Sequence, residues 1–320
     1  MIPKLYKFLV SFPIMKVFDF LLLVILFISL FAGIYFLWLN LPHETVEFET
    51  FQGNISDLPA KSVQFYSSMR YVEKNIPYLI SQNCSEKKQK DFERAVQIIE
   101  DKSILRFYKS EKPEIIITCS NIAPEPEEEG HFVAGEGGPT TIINATNHAV
   151  ILFGKIALYR PENCDRPQVA IHELLHALGF DHNNNTKSIM YPYTKCDQEI
   201  DVNILEEIKE LYSEPSLADL IIESINATKK GYYLNFEVTV SNLGLKKISR
   251  AELTITDDRM EEIKKFSLEE FDIGAKRKLS VQNLRIPRNL QKLKFTINTP
   301  ESELSKENNQ VTISVATSNL

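Results

Sequence analysis

An α+β protein in three parts is what the order of patterns along this 320-residue chain predicts. Three observations lead there. Phe18–Leu39 is an unbroken apolar run. Between residues 63 and 214, β-rich runs alternate with segments of helical period. After Pro215 the pattern changes to short, closely spaced strands with turn signals between them.

The apolar run, FDFLLLVILFISLFAGIYFLWL, holds one charge, Asp19. As a helix of about 33 Å it is long enough for the ~30 Å hydrocarbon core of a bilayer. A cleaved signal would be shorter and end in small residues, whereas this run ends in Tyr35, Trp38 and Leu39, which suit a membrane interface. Residues 18–39 are therefore expected to be an uncleaved transmembrane anchor. Lys4, Lys7 and Lys16 precede it, and His43, Glu44, Glu47 and Glu49 follow. The positive-inside rule then puts residues 1–17 in the cytoplasm and the rest of the chain outside. Residues 40–62, polar and carrying Pro42, Gly53 and Pro59, are expected to form a stalk.

The net charge of −7 argues against a nucleic-acid partner. All four cysteines lie beyond the span, which in an oxidising compartment suggests two disulfides among three possible pairings. The middle domain, 63–214, opens with a strand at Ile76–Ser81. Ser85 is placed to cap a helix over Glu86–Asp101, with Phe92, Ala95, Val96 and Ile99 on one face. Ile104–Ser110 and Glu114–Ser120 read as further strands. Cys84 at the helix entry and Cys119 at a strand end can meet on the rim of one sheet, which favours Cys84–Cys119. Residues 121–142 hold four of the chain's eleven glycines and read as loop. A strand, His148–Arg160, and two helices, from Pro167 to about Leu178 and over Ile200–Tyr212, complete the domain. The final part, 215–320, shows seven short strands, as expected of a β-sandwich.

One stretch carries chemistry. IHELLHALGFDH runs from Ile171 to His182, and three of the chain's six histidines lie in it. On a helix, His172 and His176 are one turn apart and share a face. Gly179 can end the helix and turn the chain back, so that His182 supplies a third imidazole. Three neutral nitrogens and an open fourth position are the ligand set of a catalytic zinc ion. Glu173, beside the first ligand, can take the proton of a zinc-activated water.

This pattern, with Met190 in SIMYP (Ser188–Pro192), resembles the metzincin zinc peptidases, and its Met-Tyr-Pro most resembles the matrixin branch. The resemblance covers about Ser62–Ser213. It implies a twisted, mostly parallel sheet with an antiparallel edge strand and three helices. It also implies one catalytic Zn²⁺ and cleavage of a protein or peptide substrate. Met190 would form an apolar floor under the zinc. The substrate-holding edge strand is best matched by Gly130–Gly135, giving Phe132, Val133, Ala134 and Gly135 as substrate contacts. Tyr191 and Tyr193 would line the pocket wall. No tyrosine ligand carries over, because Pro192 stands in its place. Only His43, His131 and His148 are left over, so a structural zinc or calcium site of the matrixin kind is not expected. A Cys164–Cys196 bond would close both ends of the zinc-binding segment. The rivals to a membrane-anchored endopeptidase are a surface adhesion protein on a peptidase scaffold and an amidase acting on a cell-wall polymer. The sandwich resembles Ig-like adhesion modules and could hold a surface partner.

Overall fold

A computed structural model describes residues 17–52, 63–126, 132–145 and 148–315. The chain divides into two units at Thr45/Val46. In the first, helix α1 (Val17–Leu39) is the expected apolar helix. Its segment Phe20–Leu39 is long and apolar enough to cross a membrane, and none of it is buried.

Strand β1 (Thr45–Gln52), whose residues from Val46 on open the second unit, lies inside the segment expected to be a stalk. The alternation of Val46 and Phe48 with Glu47 and Glu49 suits a strand, and β1 joins a sheet formed by the C-terminal part of the chain. The middle part contributes β2 (Met69–Tyr71), β3 (Asn75–Ile80), α2 (Glu86–Lys102), β4 (Arg106–Lys109), β5 (Ile115–Cys119), β6 (Gly135–Asn144), β7 (Ala149–Leu158), α3 (Gln168–Ala177) and α4 (Val202–Leu211). Strands β4, β3, β5 and β7 run parallel in that order, and β2 pairs in parallel with the first residues of β7. Strand β6 runs antiparallel along the whole of β7. Ser85 caps α2 by accepting from the Lys88 N–H at 3.4 Å, and Phe92, Ala95, Val96 and Ile99 are buried as its period requires.

Two expectations need correction. Residues 135–142, read as loop, belong to the antiparallel edge strand Gly135–Asn144. The edge strand itself starts at Gly135, so Phe132, Val133 and Ala134 lead into it, while Gly130 and His131 lie outside the described residues. The glycines are there for close approach. A Cβ on Gly137 would stand 2.2 Å from the Glu173 carbonyl oxygen, and one on Gly135 would stand 2.7 Å from Glu173 Cγ. Only bare backbone lets α3 lie this close to the edge of the sheet.

Cys84–Cys119 and Cys164–Cys196 are both bonded. The first ties the entry of α2 to the end of β5. The second ties the approach to α3 to the loop before α4.

The C-terminal part forms seven strands: β8 (Leu220–Lys230), β9 (Tyr233–Asn242), β10 (Ile248–Thr256), β11 (Glu262–Phe271), β12 (Ala275–Arg285), β13 (Lys292–Asn298) and β14 (Gln310–Ser314). They make two sheets, ordered β1-β12-β9-β8 and β11-β10-β13-β14. Leu234, Phe236, Val238 and Val240 of β9 face inward at every second position, toward Leu293, Phe295 and Ile297 of β13. The Phe236 ring lies 5.3 Å from that of Phe295. Each such buried side chain contributes roughly 1.5–3 kcal/mol. This core is separate from the one that surrounds α3.

Candidate metal centre

Helix α3 is buried along its whole length. Pro167 starts it without a side-chain cap, and the Glu162 carboxylate does that work from five residues upstream. It accepts the Val169 N–H at 3.1–3.2 Å. Burial pushes the Glu162 carboxyl up to about 7. Gln168 donates to the carbonyls of Cys196 and Gln198, which fixes the first turn of α3 against the loop that follows Met190. Leu174, Leu175 and Leu178 point into the core, as the sequence suggests.

The helix presents His172 and His176 side by side. At Gly179, φ is +94°, and the chain reverses as expected. A Cβ there would lie 2.5 Å from Met69 Sδ, so the turn needs glycine for space as well as for conformation. The reversal brings His182 back to the helix. The three Nε2 atoms stand 3.0, 3.1 and 3.2 Å apart.

These nitrogens fit a metal rather than one another. His172 Nδ1 lies 2.6 Å from the Ile189 carbonyl oxygen, and His176 Nδ1 lies 2.8 Å from that of Phe180. A carbonyl only accepts, so each Nδ1 carries the ring proton and each Nε2 is left as a bare lone pair. Lone pairs converging at such distances repel unless a cation sits among them. Nitrogens bound to one tetrahedral ion at ~2.0–2.1 Å would be separated by about 3.3–3.4 Å, close to the spacing found here. Burial holds His172 down to about 3 and His176 down to about 4, and it also lowers His182. All three are therefore neutral at pH 7, as ligation requires.

Glu173 is buried beside this cluster, against Gly135 and Gly137 of β6. Burial, and then the charge of Glu136, pushes its carboxyl up to about 8. Met190 is fully buried, and its N–H donates to Ser188 Oγ at 2.9 Å. Tyr191 and Tyr193 follow it, edge to face with centroids 5.8 Å apart. Of the expected substrate contacts, Phe132 is exposed under the Arg160 guanidinium, and Ala134 O accepts from the N–H groups of Tyr159 and Arg160.

The family described as matrixin matches residues 70–213. Residues 70–213 are a matrixin-like metzincin domain. The matrixin match supports a zinc metallopeptidase. The macrophage metalloelastase of Rattus norvegicus is 31% identical over 134 residues, covering 38% of this chain. The chain spans only 28% of that protein's length. Two solved structures of the CARDB domain of a Pyrococcus furiosus protein, one a crystal structure with di-metal ions and one in solution, cover 32% of this chain. They cover 89% and 96% of their own chains, at 17% identity and a TM-score of 0.28. At that score the likeness carries no argument.

The sequence alone does not reveal several side chains around the matrixin site. Asp181 reads either as a turn residue or as a partner of the third histidine, and its Oδ1 accepts the backbone N–H of His182 at 2.7 Å. Asp201 reads as part of the last helix. Its carboxylate instead accepts from Ser188 Oγ, from Asn183 Nδ2 at 3.4 Å and from Asn185 Nδ2 at 3.2 Å. It thereby braces the loop between His182 and Met190. Phe65 stacks on the His176 ring with centroids 5.8 Å apart.

Proposed function

We propose that this chain is a membrane-anchored zinc endopeptidase whose matrixin-like domain faces the outside of the cell. The observation that carries this reading is the convergence of three Nε2 atoms within 3.2 Å, two of them on rings whose Nδ1 faces a carbonyl, beside a buried carboxyl. His172, His176 and His182 would hold the zinc, and the bound ion would polarise a water and lower its pKa.

The chain's own groups do the rest. Glu173 takes the proton of the water that attacks the peptide carbonyl and returns it to the departing amine. Burial raises the Glu173 carboxyl in the metal-free site, and a bound cation beside it would favour the ionised form that accepts the proton. The substrate backbone adds to β6, which among the described strands pairs with β7 alone and so has one free edge. Gly135 and Gly137 bring that edge against Glu173. Phe132, Val133 and Ala134 would extend the contact upstream, and Tyr191 and Tyr193 would form the wall on the other side. The basic residues before α1 and the acidic ones after it orient the chain with its N-terminus in the cytoplasm. Two disulfides suit an oxidising exterior.

The test uses the full chain in detergent micelles with a peptide library. Cleavage should stop with a chelator and return with zinc. Glu173→Ala should lose about 10²–10⁴-fold in rate while still binding zinc. Undiminished cleavage by Glu173→Ala would refute the mechanism. Recovery of the protein in the supernatant after an alkaline carbonate wash of membranes would refute the anchor.

A further inference from the structure

The third ligand is the weak point of this centre. His172 and His176 ride on a buried helix, whereas His182 is exposed and sits on a loop. Something outside α3 must hold the Gly179–His182 turn in place.

Val63–Phe65 meets that need. Gln64 pairs antiparallel with Phe180. On either side of that pair, Phe65 N–H donates to Gly179 O and Asp181 N–H donates to Val63 O, each at 3.0 Å. Phe180 is the residue whose carbonyl fixes the His176 Nδ1 proton. The Phe65 ring lies over the same imidazole at an interplanar angle of 23°. A carbonyl on one ring nitrogen and a ring against one face leave that imidazole little freedom to rotate.

The segment is itself clasped. Gln64 is 1% exposed, and its side-chain amide bonds both ways with Met69: Nε2 donates to Met69 O at 2.7 Å, and Oε1 accepts from Met69 N–H at 3.0 Å. Ser68 takes a positive φ of 54° to close the loop between them. Met69 then presses its thioether against Gly179. The strap thus holds the ligand turn by backbone pairing along Val63–Phe65 and by packing from Met69. Val63–Met69 lies before the matrixin match, which starts at residue 70.

We propose that Val63–Phe65 is a positioning strap for the metal centre, with Phe65 setting the plane of His176 and the Gln64–Phe180 pairing setting the loop that carries His182. This rests on the zinc reading above. Groups that orient a ligand typically change metal affinity by about 10–100-fold when they are removed.

The test measures the zinc dissociation constant of the full chain in detergent by competition with a chromophoric chelator, beside the melting temperature of the metal-free protein. Phe65→Ala should weaken zinc by about tenfold or more. Phe65→Tyr, which keeps the ring, should restore it to within about twofold of wild type, since the stacking face is unchanged. A role in stability alone would lower the melting temperature and leave the zinc constant unchanged, and that result in Phe65→Ala would overturn the proposal. Should Phe65→Ala fail to fold, Phe65→Leu keeps the apolar bulk without the ring and is read the same way. A wild-type chain that binds no zinc would overturn the zinc reading instead. Tight zinc binding shared equally by wild type and variants overturns the strap alone.

Discussion

Gly137→Ala is a sharp test of how the candidate site is built. The added Cβ would stand 2.2 Å from the Glu173 carbonyl oxygen, 2.8 Å from its carbonyl carbon and 2.9 Å from its Cα. Ordinary carbon contacts lie near 3.5–4.0 Å, so α3 and β6 must separate by about 1 Å or more. All three neighbours are backbone of a buried helix, so no side-chain rotation can relieve the clash. Overpacking of this kind costs about 1–3 kcal/mol, and in a domain of this size each kcal/mol lowers the melting temperature by roughly 2–4 °C. The helix that moves carries Glu173 and two ligands. A misplacement of about 1 Å in such groups can cost on the order of 10²-fold in rate. Gly138 supplies the control, because a Cβ there meets nothing within 4 Å. Gly138→Ala should melt like wild type. Differential scanning calorimetry and kcat/KM on one peptide decide the matter. Wild-type stability and rate in Gly137→Ala, or equal losses of stability in both variants, would show that the approach of α3 to β6 is not what these glycines serve.

Two further outcomes follow from the same packing. Glu114 has a buried Oε2 without a hydrogen-bond partner among the described residues, and burial with the charge of Glu73 pushes its carboxyl from 4.5 up to about 7. The folded state therefore holds this proton more tightly than the unfolded chain, so stability falls as pH rises from about 5 to about 7. Glu114→Gln should flatten that part of the pH–melting curve and be the more stable form at pH 8, and unchanged slopes would contradict this. The Cys164–Cys196 bond closes a separation of 32 residues, for which chain entropy gives about 3–4 kcal/mol. The double serine variant should melt on the order of 10 °C lower, and a shift below about 2 °C would show that the bond constrains little.

How much of this was legible in the sequence depends on distance along the chain. His172, Glu173 and His176 follow from helical period, and Gly179 and His182 from one turn of backbone, so the metal centre is local information. The seven strands after Pro215 show their alternation directly. Strand β6 was hidden because its glycines look like loop chemistry. Their meaning lies in Glu173, which the sequence places far downstream of Gly137. Strand β1 carries a fair β pattern, but its sheet partner β12 begins only at Ala275. Phe65 gives no local sign that it faces His176. What was missed is what long-range pairing decides, and a single sequence does not display that pairing.

Asp201 shows how these local and distant requirements compete. It stands at the N-cap of α4 in extended backbone, with φ −62° and ψ 142°, where an aspartate normally accepts an N–H of the first helical turn. It makes no such bond. Forgoing a cap typically costs about 1 kcal/mol of helix stability. The carboxylate is directed instead to Ser188, Asn183 and Asn185, three groups of the loop between the exposed ligand His182 and the buried Met190. Ser188 passes that tether on through the bond from Met190 N–H to its Oγ, and Asn183 N–H adds a bond to Met190 O. His182 is therefore held from two sides: by Asp201 and the Ser188–Met190 turn downstream, and by the Val63–Phe65 pairing upstream. His172 and His176 are placed by the burial of α3 and by carbonyls at Nδ1, with the Phe65 ring against His176. The bond forgone at the cap of α4 goes instead into ordering the one histidine of the candidate centre that its own secondary structure does not order.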